Sequence, residues 1–130
     1  MSYLLFIVEP VGQRAQRTPE EGREAYAQML RYAEDLSSRG LLARAESLKS
    51  ESEAVRLRIR DGERSLVDGP YAEAKEMIGG FFLLNCDSRE EALALAAECP
   101  AAQWATVEVR ELARASCRHR PMLDRRLARA

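Results

Sequence analysis

Tyr3-Leu4-Leu5-Phe6-Ile7-Val8 opens the chain with an aromatic and branched run that is apolar at odd and even positions alike. Such residues favour a strand. Successive strand side chains point to opposite faces, so this strand needs apolar cover on both sides. Phe81-Phe82-Leu83-Leu84 repeats the pattern far along the chain. The intervening sequence supplies two helices, which can cover only one face of a shared sheet. Fully burying a Phe or Leu side chain is worth roughly 1.5–3 kcal/mol, and several left together make a sticky patch. The sequence therefore predicts sheet-on-sheet packing with a second copy about a two-fold axis. The competing cover is the C-terminal tail, folded back over the open face.

Working outward, Pro10, Gly12 and polar residues predict a loop. Thr18-Pro19-Glu20-Glu21 predicts a helix start: the Thr hydroxyl caps, Pro fits the first turn, and Glu21 completes a capping box. Tyr26, Met29, Leu30, Ala33 and Leu36 form its apolar stripe, and Gly40 closes it. Leu41 to Leu48 reads as a second strand. Val55, Leu57 and Ile59 alternate with Arg56, Arg58 and Arg60, which predicts one buried and one wet face. Asp61-Gly62 is a tight hairpin turn, with Ser65-Leu66-Val67 returning. Asp68-Gly69-Pro70 breaks the ladder, and Tyr71 to Met77 reads as irregular or a single helical turn. Ile78 to Cys86 is a strand opened by Gly79-Gly80, which predicts a bulge or helix contact, or else a close approach of backbone to a ligand. Ser88-Arg89-Glu90-Glu91 predicts a second capping box before a helix over Ala92–Cys99, ended by Pro100. Trp104 to Leu112 is the last strand, with Ala105, Val107 and Val109 on one face.

The order is β-α-β-(β-hairpin)-β-α-β. This predicts an α+β fold, a ferredoxin-like βαββαβ with an inserted β-hairpin. The 130 residues fit one domain, 46% apolar and 32% charged, as in ordinary globular proteins. The domain is expected over 1–112 and a basic Arg-rich tail over 113–130. Six Arg and one Asp give residues 114–130 a net charge of +5, against −6 for the rest. With 18 Arg and two Lys in the chain, the bias suits a GC-rich genome, so nucleic acid is an unfavoured partner despite the tail. Apolar runs of about seven residues fall far short of the ~20 needed to span a bilayer. No basic segment precedes the first strand as in a signal peptide. The expected location is cytoplasmic, away from membranes.

Cys86, Cys99 and Cys117 are too widely spaced for a zinc pattern and odd in number for a disulfide framework. Cys86 and Cys99 are expected to be small buried hydrophobes. His119, the only histidine, and Cys117 supply two ligands where a structural zinc site takes four. There is no GxxxxGK and no GxGxxG after a strand. No metal and no cofactor are expected.

The densest polar cluster is Asp68-Gly69-Pro70-Tyr71-Ala72-Glu73-Ala74-Lys75-Glu76. With Val67 before it and Gly79-Gly80-Phe81 after it, this stretch resembles the signature of the DGPF proteins of the YciI-like (YCII-related) superfamily, Tyr71 standing where that signature has Phe. Ser88-Arg89-Glu90-Glu91-Ala92, Cys99-Pro100 and Val107-Glu108-Val109-Arg110 are similar too, so the resemblance covers about residues 2–112. It implies a dimeric α/β-barrel arrangement of ferredoxin-like subunits. Some relatives in the wider superfamily act on small cyclic compounds, including a dehydrochlorinase that uses a His–Asp pair. The body of this chain has no histidine, so only the Asp half carries over, as Asp68. DGPF-like proteins also resemble parts of systems encoded near, or fused to, extracytoplasmic-function sigma factors.

A carboxylate at a loop rim serves as a general base when burial raises its pKa. Asp68 is the catalytic candidate on that ground. Tyr71, Glu73, Lys75 and Glu76 are candidate substrate-binding residues, offering a hydroxyl, a stacking face and charges. The plainer reading makes Asp68 a turn residue accepting backbone N–H bonds, and the others surface charges. Two functions stay open. One is a homodimer with a small-molecule pocket between sheet and helices, bordered by Asp68 and its loop, doing cofactor-free acid–base chemistry of lyase or isomerase type. The other is a non-catalytic interaction or regulatory protein.

Overall fold

The structure, a computed structural model, describes residues 2–113. The basic tail, with Cys117, His119 and the expected tail cover, lies outside the described residues.

Strand β1 (Ser2–Pro10) leads through a single-turn helix, α1 (Gln13–Gln16), to the long helix α2 (Pro19–Ser38). Strand β2 (Leu42–Ser47) follows, then a hairpin of β3 (Val55–Arg60) and β4 (Glu63–Asp68). Strand β5 (Glu76–Asn85), helix α3 (Arg89–Ala97) and strand β6 (Thr106–Glu111) complete the order. The main sheet is antiparallel, ordered β2-β5-β1-β6. That is the ferredoxin-like arrangement, with β1 and β5 at the centre. The hairpin stands apart as its own two-stranded sheet.

Local chemistry explains the element ends. Thr18 Oγ1 accepts from Glu21 N at 3.1 Å, and Glu21 Oε1 accepts from Thr18 N at 2.8 Å, so the capping box forms. Gly40, at φ +71°, closes α2. At α3 the Ser88 hydroxyl accepts from Glu91 N at 3.1 Å, which is the hydroxyl half of the expected box. Asp61 and Gly62 both take positive φ (52° and 77°), as the tight hairpin turn requires.

Along β1 the odd positions Tyr3, Leu5, Ile7 and Glu9 are buried beneath the helices, and Ser2, Leu4, Phe6 and Val8 are half-buried on the other face. Phe82 and Leu84 join the buried set from β5, with Tyr32 and Leu36 from α2 and Leu95 from α3. The Tyr32 ring meets Phe82 edge-on, centroids 5.2 Å apart, and its hydroxyl donates to Leu95 O at 2.6 Å, locking α2 to α3. Cys86 and Cys99 are free and buried, as expected. The opposite face carries Leu4, Phe6 and Val8 beside Phe81 and Leu83, flanked by the ion pairs Arg44–Glu46 and Arg110–Glu108.

Three expectations change. The stripe of α2 buries Tyr32 and Leu36, whereas Tyr26 and Leu30 are exposed. They diverge because the first half of α2 stands off the sheet over a cavity. The loop after Pro10 holds a helical turn at Gln13–Gln16. The hairpin has no buried face: Val55, Leu57, Ile59 and Leu66 share one side, and each is more than half exposed. Alternation recorded an apolar face correctly, but the described residues do not cover it.

Candidate functional site

Glu9 follows Tyr3, Leu5 and Ile7 in the inward phase of β1, so strand geometry drives a carboxylate under α2. It is only 6% exposed. A buried charge must be paired and hydrogen-bonded, and Arg14 on α1 does both. Its Nε donates to Glu9 Oε2 at 3.0 Å and its Nη2 to Glu9 Oε1 at 2.9 Å. The same guanidinium donates to Leu48 O at 2.7 Å and Gly79 O at 3.1 Å. Those bonds use four of its five N–H donors. Arg14 thereby ties α1 to the ends of β1, β2 and β5.

Gly79 makes the arrangement fit. The pairing of β1 with β5 shifts between Ile7 and Val8, leaving Gly79 as the extra residue of a bulge. A Cβ at residue 79 would collide with the Glu9 carboxylate. The bulge reading of Gly79-Gly80 thus describes the backbone, and the reason for the glycine is the close approach of Glu9.

Glu9 and Arg14 border a cavity of ≈540 Å3 between α2 and the sheet. Its walls include Ile7, Tyr26, Met29, Leu30, Phe82 and Trp104. The volume suits a small molecule, and an apolar lining with few polar groups is the usual composition of such sites. Arg17 stands at the Trp104 side, its guanidinium carbon 5.6 Å from the ring centroid.

A second cavity of ≈520 Å3 lies at the base of the hairpin, lined by Glu51, Arg56, Tyr71, Glu76 and Met77 among others. The Arg56 guanidinium stacks 3.7 Å above the Tyr71 ring. Tyr71 and Glu51 are each 8% exposed. The Tyr71 hydroxyl and Glu51 Oε1 are buried without a hydrogen-bond partner among the described residues.

The five residues singled out from sequence therefore separate. Tyr71 and Glu76 meet at the second cavity. Glu73 and Lys75 are exposed and line neither cavity. Asp68 is exposed at the end of β4 opposite Val55, and it borders neither cavity. The cavity between sheet and helix is bordered by Glu9 and Arg14 and not by Asp68, because the hairpin carries Asp68 away from the main sheet. The missed residues had one legible signal: Glu9 is an acid in phase with three inward apolar positions. Among the described residues, no group of three or more His, Cys, Asp or Glu is placed to hold a metal.

The thiols of Cys86 and Cys99 are pushed up by burial, and Glu91 adds to the rise at Cys86. Both are core groups, away from the cavity walls.

The family model of the YCII-related domain matches residues 1–116. The chain belongs to the YCII-related domain family. This YCII-related chain is 41% identical over 76 residues to an uncharacterized protein of Rhizobium meliloti (strain 1021), a match covering 57% of this chain and 61% of that protein. The matched stretch thus spans less than two thirds of the relative's length. Among solved structures, the YCII-related chain resembles 5-chloro-2-hydroxyhydroquinone dehydrochlorinase (TftG) from Burkholderia phenoliruptrix AC1100, in complex with 2,5-dihydroxybenzoquinone. That likeness has a TM-score of 0.48 and 17% identity, over 87% of this chain and 94% of that one.

Proposed function

We propose that the protein is a homodimer that binds a small, flat, largely apolar molecule between α2 and the sheet, and moves a proton on it without a cofactor. The observation that carries this is the Glu9 carboxylate, buried at the border of an apolar cavity and oriented by a bidentate guanidinium. Each Glu9 oxygen accepts one bond from Arg14, and a carboxylate offers about four lone-pair sites. Acceptor capacity is left for a substrate O–H or C–H proton. Proton abstraction followed by loss or movement of a neighbouring group is lyase or isomerase chemistry.

The dimer forms through the bare face of the sheet. Leu4, Phe6, Val8, Phe81 and Leu83 are its apolar centre, and the flanking ion pairs are its polar rim, the layout of a specific interface. A monodisperse monomer by light scattering at micromolar concentration would refute it.

Two observations favour other readings. Tyr71 and Glu76 meet at the second cavity, and they keep the Asp68 loop as the alternative acid–base site. The exposed apolar side of the hairpin suits a non-catalytic interaction protein. One experiment separates all three: thermal shift with a panel of hydroxylated ring compounds on the wild type, Glu9→Gln and Asp68→Asn. Binding at a hundredfold excess over Kd stabilises by about 2.7 kcal/mol. Stabilisation lost in Glu9→Gln and kept in Asp68→Asn supports the helix–sheet cavity. The reverse pattern moves the site to the loop. Silence across the panel, with every variant folded, leaves the interaction reading.

A further inference from the structure

Arg17 lines the cavity between α2 and the sheet and has no ion-pair partner among the described residues, although the chain is rich in carboxylates. Its position is nonetheless held. Gln13 Nε2 donates to Trp104 O at 2.7 Å, which fixes the amide and turns its oxygen toward Arg17. Arg17 Nη2 donates to that oxygen at 3.4 Å. The indole of Trp104 sits beneath the guanidinium as a second restraint. Among the described residues, one hydrogen bond leaves four of the five N–H donors of Arg17 unused. A planar, always-charged fork held at the border of an apolar cavity is a carboxylate receptor.

Its relation to Glu9 gives the ligand a direction. Glu9 is packed against Gly79 of β5, on one side of β1. Trp104 leads into β6, on the other side of β1. An acceptor thus stands on one side of the cavity and, on the other, a cation with no ion-pair partner among the described residues, with Tyr26 and Phe82 also lining it. We propose that the cavity selects ring compounds bearing both a carboxylate and a hydroxyl or amino group, and that Arg17 is the residue that selects the carboxylate. The carboxylate pairs with Arg17 over Trp104, and the O–H or N–H donates to Glu9. The reversed orientation brings the ligand carboxylate to a Glu9 whose charge Arg14 already pairs, and leaves Arg17 facing no carboxylate, so it is the weaker of the two. This inference rests on the helix–sheet cavity being the binding site.

The test is titration calorimetry on the full chain with 4-hydroxybenzoate, 3-hydroxybenzoate, phenol and benzoate, repeated on Arg17→Gln and Arg17→Lys. A hydroxybenzoate is expected to bind about tenfold or more tightly than phenol, the scale of a charge-assisted bond. Arg17→Gln removes that advantage and leaves phenol unchanged, whereas Arg17→Lys restores part of it. If phenol and the hydroxybenzoates bind alike, and Arg17→Gln alters neither, the role of Arg17 is overturned while the cavity stands. If no ring compound binds the wild type, the cavity reading falls and this inference with it. Equal binding of phenol and the hydroxybenzoates by the wild type overturns the role of Arg17 even where a variant fails to fold.

Discussion

Glu9 takes a charge into an apolar interior, and two neighbours make that tolerable: Arg14 pairs it, and Gly79 gives it space and turns its own carbonyl toward the same guanidinium. Glu9→Gln keeps the shape but turns an acceptor into a donor facing Arg14. It is expected to cost about 1–3 kcal/mol, read from urea denaturation, together with loss of ligand binding. Gly79→Ala places a methyl where the carboxylate sits, and about 1–3 kcal/mol is the usual cost of such overpacking. Little of this was legible beforehand. Spacing rules look for clusters along the chain, whereas Glu9, Arg14 and Gly79 meet through strand pairing across 70 residues. Asp68 drew notice because its neighbours in sequence are polar. In space its facing neighbour is Val55.

The helices and strands followed from local rules wherever local forces decide. The α2 cap was legible because Thr18 and Glu21 act on each other across three residues. The stripe of α2 was only half right, since periodicity cannot tell a side chain that enters the core from one that walls a cavity. Gly22 lies in the same helix, beside that cavity, and nothing lies within 4 Å of a Cβ placed there. Gly22→Ala is expected to raise stability by about 0.5–1 kcal/mol through helix propensity, while narrowing the cavity and weakening the ligand. Melting temperature and calorimetry should therefore move in opposite senses. The hairpin is the second element whose surroundings sequence could not supply. An isolated two-stranded ribbon is marginal in water, so its apolar side needs cover. In the proposed homodimer, a second copy pairing through the main sheet is the nearest source. Leu57→Lys with Ile59→Lys is expected to weaken the dimer while circular dichroism stays unchanged. Sedimentation showing an unaltered dimer would remove the hairpin from the interface.

At the scale of the whole molecule the ferredoxin-like arrangement was readable, because the order of elements and the doubly apolar β1 leave few ways to build the sheet. What covers the outer face was readable only as a need. Stability should respond to pH on the alkaline side. The Cys86 and Cys99 thiols and the Tyr32 hydroxyl are all raised by burial, so the folded state holds these protons more tightly than the unfolded chain. Their contribution is complete below the ordinary thiol value of about 8.5. It declines as pH rises from there toward the elevated folded values, and melting temperatures from pH 7 to 10 should show the fall. The strand order has a last consequence, for the moment of synthesis. β1 is made first, yet its partners run from Glu76 to Asn85 and from Thr106 to Glu111. At roughly 5–20 residues per second, the most apolar strand of the molecule waits several seconds for either neighbour to leave the ribosome. A nascent chain of this kind is a natural client for a chaperone that shields Tyr3–Val8 until Glu76–Asn85 and Thr106–Glu111 have emerged.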